Sequence, residues 1–361
     1  MSSAELLLAP AAREPVHTFF EPRAQAVDTG HAGVQEGIDF LHRRHFGVWE
    51  GWNDPAASPN DDLVQVAETI ATVAWSDMSS AFSLWCHRMV LDYLACAAPG
   101  SPARRELLPQ LLRTERLGST GLASAMAHHV ASTPLPIKAR RDGNRLLLNG
   151  RVFWASNLFA PRFVLITAVA GPDGDRPLIV ALPGDAPGLM VDPNPTLLAL
   201  QATGSSSLTL VDVPLEAEGI ITDDFNGFIG RIRSTFLLLQ SSFCWGLAGR
   251  ALSQAREGLR GVNEVFAPDL AELEGEAARL TGAIRRGAHD RRQPLSVPEA
   301  LQIRLDCARL ATAAVALEAK QTGSRGYVLT SPTARRLREA AFLPIQAPTE
   351  GQLRWEIARY T

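Results

Sequence analysis

Among the side chains that could do chemistry by type alone, the adjacent pair His128-His129 stands out first. Two histidines on one loop, with no carboxylate or cysteine at matching spacing, make a weak site, so no metal is expected. The four cysteines, Cys86, Cys96, Cys244 and Cys307, lie far apart without CxxC or Cys/His ligand spacing, and read as buried thiols. Ser205-Ser206-Ser207 and Gly121-Leu122-Ala123-Ser124 lack the nucleophile-elbow pattern. No Asp or His is placed by sequence to activate them, which argues against hydrolase chemistry.

The elements that must position any site fall into three blocks. Residues 1–118 read as helical. After a loose start with one helix near 38–46, Leu63, Val66, Ala67, Ile70 and Val73 recur at helical spacing behind Asn60-Asp61-Asp62, an N-cap signal. A second helix carries Phe82, Trp85, Cys86, Met89, Val90 and Tyr93 and ends at Pro99-Gly100-Ser101-Pro102. A third spans about 105–117. In 119–226 the period changes to that of strands. Asp142-Gly143-Asn144 joins 137–141 to 145–149 as a hairpin, and short β-rich runs follow at 163–169, 178–182, 189–191 and 208–213. From 227 to 361 helices return. Pro268 suits a first turn, Ser296-Val297-Pro298-Glu299 has the form of a capping box, and Gly323 terminates the helix that follows it. The expected class is therefore α+β multidomain: an N-terminal α-helical domain, a middle β-sandwich or barrel, and a C-terminal four-helix bundle.

At 361 residues the chain can bury a sizeable core, and 46% apolar with 20% charged residues is globular composition. A formal charge of -3, with basic residues only in scattered pairs, leaves no stripe to track phosphates, so nucleic acid is not an expected partner. No apolar run reaches the roughly 18 residues of a membrane span, and no basic region precedes the early leucines; the expectation is a cytoplasmic protein with no membrane partner.

Helices, a β-domain and a bundle in that order, with particular residues at the seams, resemble the acyl-CoA dehydrogenase superfamily. Leu148-Asn149-Gly150-Arg151-Val152-Phe153-Trp154-Ala155-Ser156-Asn157 is similar to that family's flavin-facing strand motif, and the resemblance implies that Trp154 packs on a flavin while Ser156 supplies a hydroxyl to the ring edge. Gln321-Thr322-Gly323-Ser324-Arg325-Gly326-Tyr327, then Arg335 to Ala340, resemble the family's segment that binds the adenosine half of a flavin held by a neighbouring subunit. That implies FAD contacts from Gln321, Gly323 and Ser324, and a homodimer or homotetramer. Asp212-Val213-Pro214 matches the motif that closes the β-domain.

The departures bear on the reaction. The family's polar loop toward flavin and acyl-CoA is here Leu122-Ala123-Ser124-Ala125-Met126-Ala127-His128-His129, leaving Ser124 as a cofactor contact and His129 as a substrate contact. The family's catalytic glutamate falls on Ala347, in Ala347-Pro348-Thr349, and its alternative position falls near Phe236; neither can accept a proton. Thr349 stays as a cofactor contact, and Glu350 is the nearest carboxylate that could serve as base. An arginine that contacts the flavin pyrophosphate aligns with Asn263, which implies weaker FAD binding or FMN in its place. The resemblance thus implies a flavin-dependent oxidoreductase acting on a small molecule, an acyl-CoA being one possibility. Two alternatives stand beside it. One is a flavin-dependent monooxygenase using reduced flavin and O2, in which His87 faces the flavin pocket; the competing reading is that His87 belongs to a helical packing face. The other is a flavin-free member with a binding or scaffold role.

Overall fold

The computed structural model describes residues 5–46, 49, 62–172, 176–290 and 292–360. Three helices, α1 (Pro10–Phe20), α2 (Ala24–Asp28) and α3 (Gln35–Arg43), precede α4 (Val64–Ser76), α5 (Met78–Ala95) and α6 (Pro102–Leu112). Helix α1 falls in the stretch expected to start loosely and carries two prolines, Pro10 and Pro15. Pro10 sits in the first turn, where its missing N–H costs no bond, and Pro15 lies inside the helix. The N-cap signal at Asn60 and Asp61 lies outside the described residues; Asp62 accepts from the Val64 N–H at 2.8 Å. Helix α5 is buried from Met78 to Leu94 because other elements cover it on every side, and its N-cap Asp77 accepts from the Ser80 N–H at 3.1 Å.

Two four-stranded sheets follow. One runs β1 (Leu117–Gly121), β4 (Phe163–Val169), β5 (Leu178–Pro183), β8 (Ile220–Thr222), and the other β2 (Ile137–Asp142), β3 (Arg145–Ala155), β7 (Ser206–Leu215), β6 (Leu189–Val191). The β2–β3 hairpin closes at Gly143, whose φ of +62° fits the Asp-Gly signal. Strand β1, which sequence pattern missed, pairs parallel with β4; its Leu-Gly-Ser-Thr-Gly has no apolar alternation to reveal it. Segment 122–130, expected as a loop, forms α7 (Ala123–Ala131) between β1 and β2. A small core of Leu148, Val152, Phe163, Leu165 and Leu208 lies between the sheets.

The rest is helical: α8 (Phe225–Glu257), α9 (Ala267–His289), α10 (Val297–Thr322), α11 (Pro332–Phe342) and α12 (Glu350–Ile357). Pro268 occupies the first turn of α9, the Ser296/Glu299 capping box opens α10, and Gly323 ends it at φ +64°. The main hydrophobic core joins α4, α5, α8, α9 and α10. Cys86, Cys244 and Cys307 are buried, Cys96 is half-buried, and all four are unbridged. Among the described residues no group of His, Cys, Asp and Glu could hold a metal, and no helix is long and apolar enough to cross a membrane.

Candidate functional site

A chamber of about 480 Å³ opens where α5, the end of β3, the loop before β7, α8 and α11 meet. Helix α5 turns Phe82, Trp85 and Cys86 toward it, an i, i+3, i+4 set on one face. The Trp85 ring meets Phe236 of α8 edge-on at 5.0 Å, and Phe82 meets Phe342 of α11 at 5.1 Å, so four aromatic side chains frame an apolar interior. Burial pushes the Cys86 thiol far up, which keeps it neutral.

Trp154 and Ser156 form another part of the wall. Trp154 lies near the end of β3 and Ser156 just beyond it, after a register shift between Val152 and Ala155 that bends the strand. Asn157 then takes φ +62°, and its amide donates to the carbonyls of Ser83 and Gly118, each at 2.9 Å, which pins the strand end to α5 and β1. Trp154 stays 47% exposed, an indole face left uncovered beside an apolar cleft, whereas Ser156 is buried. The Ser156 hydroxyl shares a hydrogen bond with Ser205 at 2.6 Å, and Ser205 one with Thr203 at 2.7 Å; all three residues line the chamber.

Among the described residues, Arg338 is the one charged residue on the wall, and no carboxylate lines it. Its guanidinium donates to the Leu198 carbonyl at 3.1 Å, to the Leu329 carbonyl at 3.2 Å and to the buried Asp28, which also accepts from the Leu200 N–H at 2.9 Å. One carboxylate therefore fixes both the cation and the loop carrying Leu197 to Thr203. Behind the opposite wall the fully buried Arg304 donates to Gln240, the Leu343 carbonyl and Gln346, while Gln240 donates to the Ala347 carbonyl at 3.0 Å. This network holds Gln346 and Ala347 in the lining.

The structure brings together Trp154 and Ser156, and places the other candidates elsewhere. His87 is not in the lining: it lies one residue, roughly 100° of helix, beyond Cys86. Its Nδ1 accepts from the Gly118 N–H at 3.0 Å, which puts its proton on Nε2. Burial, helped by His42 and Arg88, lowers its pKa to about 3, so it stays neutral. Glu350 also lies outside the chamber, in the first turn of α12, held by Arg309 at 2.8 Å. Thr349 caps that helix by accepting from the Gln352 N–H at 3.2 Å. Ser124 sits in the first turn of α7, next to the chamber residue Ala123, and is not itself in the lining. His129 lies on the exposed end of α7 near Asn226, its Nδ1 3.1 Å from the Asn226 side-chain Oδ1. Gln321, Gly323 and Ser324 gather at the end of α10, away from the chamber; Gln321 is half-buried and neither atom of its amide has a partner among the described residues. Asn263 donates its side-chain amide to the Gly258 and Gln321 carbonyls, both at 3.1 Å. Sequence reasoning missed Asp28, Thr203 and the role of Ser205, because nothing local marks residues that meet only through the tertiary fold.

No family model matches the chain. It is 26% identical over 261 residues, 67% of this chain and 68% of the relative, to the protein named "Probable acyl-CoA dehydrogenase YngJ" of Bacillus subtilis (strain 168). Among solved structures it superposes on butyryl-CoA dehydrogenase from Megasphaera elsdenii with a TM-score of 0.84 at 18% identity, covering 98% of both chains. A glutaryl-CoA dehydrogenase from Mycobacterium smegmatis in complex with FADH2 gives 0.82 at 17% identity, covering 96% of this chain and 92% of that one.

Proposed function

From the premise that the chain has the acyl-CoA dehydrogenase fold and a sequence relative named for that activity, we propose that it is a flavin-dependent oxidoreductase with FAD as its cofactor. The observation that carries the reading is the pairing of an uncovered indole face, Trp154, with the buried Ser156 hydroxyl on the wall of an apolar chamber. These residues fit a flavin: an aromatic plane to cover one face of a fused ring, and a hydroxyl of either polarity at its edge. Bound flavin would supply hydride or single-electron acceptance. Trp154 would orient the ring, Ser156 would hydrogen-bond it, and Phe82, Trp85, Phe236 and Phe342 would exclude water.

Two further features support FAD over a bare flavin ring and a homodimer or homotetramer over a monomer. The unpartnered Gln321 amide beside exposed Gly323 and Ser324 is suited to polar contacts from outside the protomer. Around it Val262 and Tyr327, each 90% exposed, with Val265, Val328 and Leu329, leave apolar surface that a second copy would cover.

The lining without a carboxylate favours a second reading for the reaction. An acyl-CoA dehydrogenase removes an α-proton with a base in hydrogen-bond reach, and among the described residues no carboxylate lines this chamber. A monooxygenase reading, in which the reduced flavin and O2 act on a small apolar substrate, needs no such carboxylate. The test is direct. Purified protein should absorb near 450 nm; colourless protein that takes up no added flavin removes the oxidoreductase reading and leaves a scaffold role. Anaerobic bleaching by acyl-CoA then supports dehydrogenation, whereas O2 uptake by reduced protein coupled to substrate hydroxylation supports the second reading.

A further inference from the structure

We infer that Ser205 and Thr203 are positioning residues that let the Ser156 hydroxyl turn either a proton or a lone pair toward a ring bound in the chamber, an inference that rests on the flavin reading above. Ser156, Ser205 and Thr203 are 3%, 4% and 0% exposed, so no bulk water competes for their hydroxyls. The chain runs from Ser156 to Ser205 at 2.6 Å, to Thr203 at 2.7 Å, and ends at the Leu200 carbonyl, 2.7 Å from the Thr203 hydroxyl.

Each hydroxyl has one proton and two lone pairs, so the order of donation along the chain is constrained. A carbonyl only accepts. When Thr203 gives its proton to Leu200, it accepts from Ser205, Ser205 accepts from Ser156, and Ser156 turns a lone pair to the chamber. In the reverse order Thr203 donates to Ser205, Ser205 to Ser156, and Ser156 toward the chamber. The reverse order leaves no stranded acceptor, because the Leu200 carbonyl also accepts from the Thr203 backbone N–H at 3.2 Å. The two orders differ by rotation of three O–H bonds, with no heavy atom displaced.

The far end is built to stay in place. Leu200 and Gly204 flank the short turn in the left-handed region, at φ +61° and +56°, and the Leu200 N–H is held by Asp28. A ring nitrogen that is a bare acceptor when oxidised and an N–H donor when reduced meets a partner of the right polarity in both states. A single isolated hydroxyl would serve the reduced state poorly, since its own proton would be buried without an acceptor.

The experiment is a potentiometric titration of flavin-loaded wild type, Thr203→Val, Ser205→Ala, the double variant and Thr203→Ser. Thr203→Val strands the Ser205 proton, and Ser205→Ala the Ser156 proton, only when the ring is reduced. Each should weaken binding of reduced relative to oxidised flavin about fivefold, which for a two-electron couple is a midpoint about 20 mV lower. The double variant should match Ser205→Ala rather than add to it, and Thr203→Ser should keep the wild-type potential. If Thr203→Val fails to fold, Ser205→Ala carries the same expected drop. Flavin bound with unchanged or raised potentials, or additive shifts in the double variant, overturns the hydroxyl chain alone. A wild type that quenches no flavin fluorescence overturns the flavin reading, and this inference with it.

Discussion

His87→Asn separates a packing histidine from a catalytic one, and the structure sets the size of the difference. The imidazole is fully buried and neutral, with a pKa of about 3 in the folded chain against 6.5 for the free side chain. Between those values the unfolded chain binds a proton that the folded chain refuses. Stability from this group is therefore intact above pH 6.5 and is lost as pH falls toward 3. From pH 7.5 to 5.0 the loss is about 1.4 kcal/mol per unit over the 1.5 units below 6.5, or about 2 kcal/mol. That figure needs only a folded value below 5. Asparagine can keep the acceptor for the Gly118 N–H but leaves space behind, so the variant should be less stable at pH 7.5 by about 1–3 kcal/mol. Urea unfolding followed by tryptophan fluorescence at both pH values should show that gap shrinking by about 2 kcal/mol at pH 5.0. A gap that does not change with pH would refute the argument. So would a pH–rate profile that loses an ionisation between 6 and 7 in the variant, since that would make His87 a titrating participant.

Three further perturbations probe the frame around the chamber. Asp28→Asn removes the carboxylate that ties Arg338 while leaving an acceptor for the Leu200 N–H, and should cost about 2–4 kcal/mol in urea unfolding; a cost under about 0.5 would show that the ion pair does not hold this wall. Burial raises the Glu339 pKa to about 7, against the opposing pull of Arg335, so the folded chain holds the extra proton between 4.5 and 7. Wild-type stability should therefore decline relative to Glu339→Gln as pH rises from 5 to 7.5, and parallel pH curves would contradict this assignment. Glu350→Gln breaks a partly exposed pair with Arg309 outside the chamber, and should cost under about 1 kcal/mol with no change in flavin reduction rate. A reduction rate lower by tenfold or more would restore Glu350 as the base.

The block order of the fold was readable because helical and strand periods differ over long stretches, and Asp142-Gly143, Ser296/Glu299 and Gly323 mark their boundaries by local chemistry alone. Strand β1 and helix α1 escaped for opposite local reasons: one lacks alternation, and the other carries two prolines. At the site, Trp154 and Ser156 were singled out by the resemblance of 148–157 to a family motif, and the structure places both on the chamber wall. For His87 the sequence left a pocket role and a packing face open, and one residue of helical rotation beyond Cys86 puts it outside the chamber lining. Glu350 shows the limit of proximity in sequence: it lies three residues from the chamber residue Ala347, but the start of α12 turns it toward Arg309. Asp28 reaches Arg338 across 310 positions, a relation that no local pattern encodes.

The charge around the chamber constrains its guest as firmly as its shape does. Arg338 is offset by Asp28, but Arg304 is fully buried and, among the described residues, makes no ion pair, giving its protons only to amide and peptide oxygens. A buried cation without a counter-ion is costly, and the hydrogen bonds through Gln346 and Gln240 carry its field to the wall formed by Gln346 and Ala347. With Arg304 behind the wall and no carboxylate among the described lining residues, the field inside the chamber favours negative over positive charge. Among the described residues that line the chamber, a step that begins by taking a proton from the substrate finds no carboxylate base.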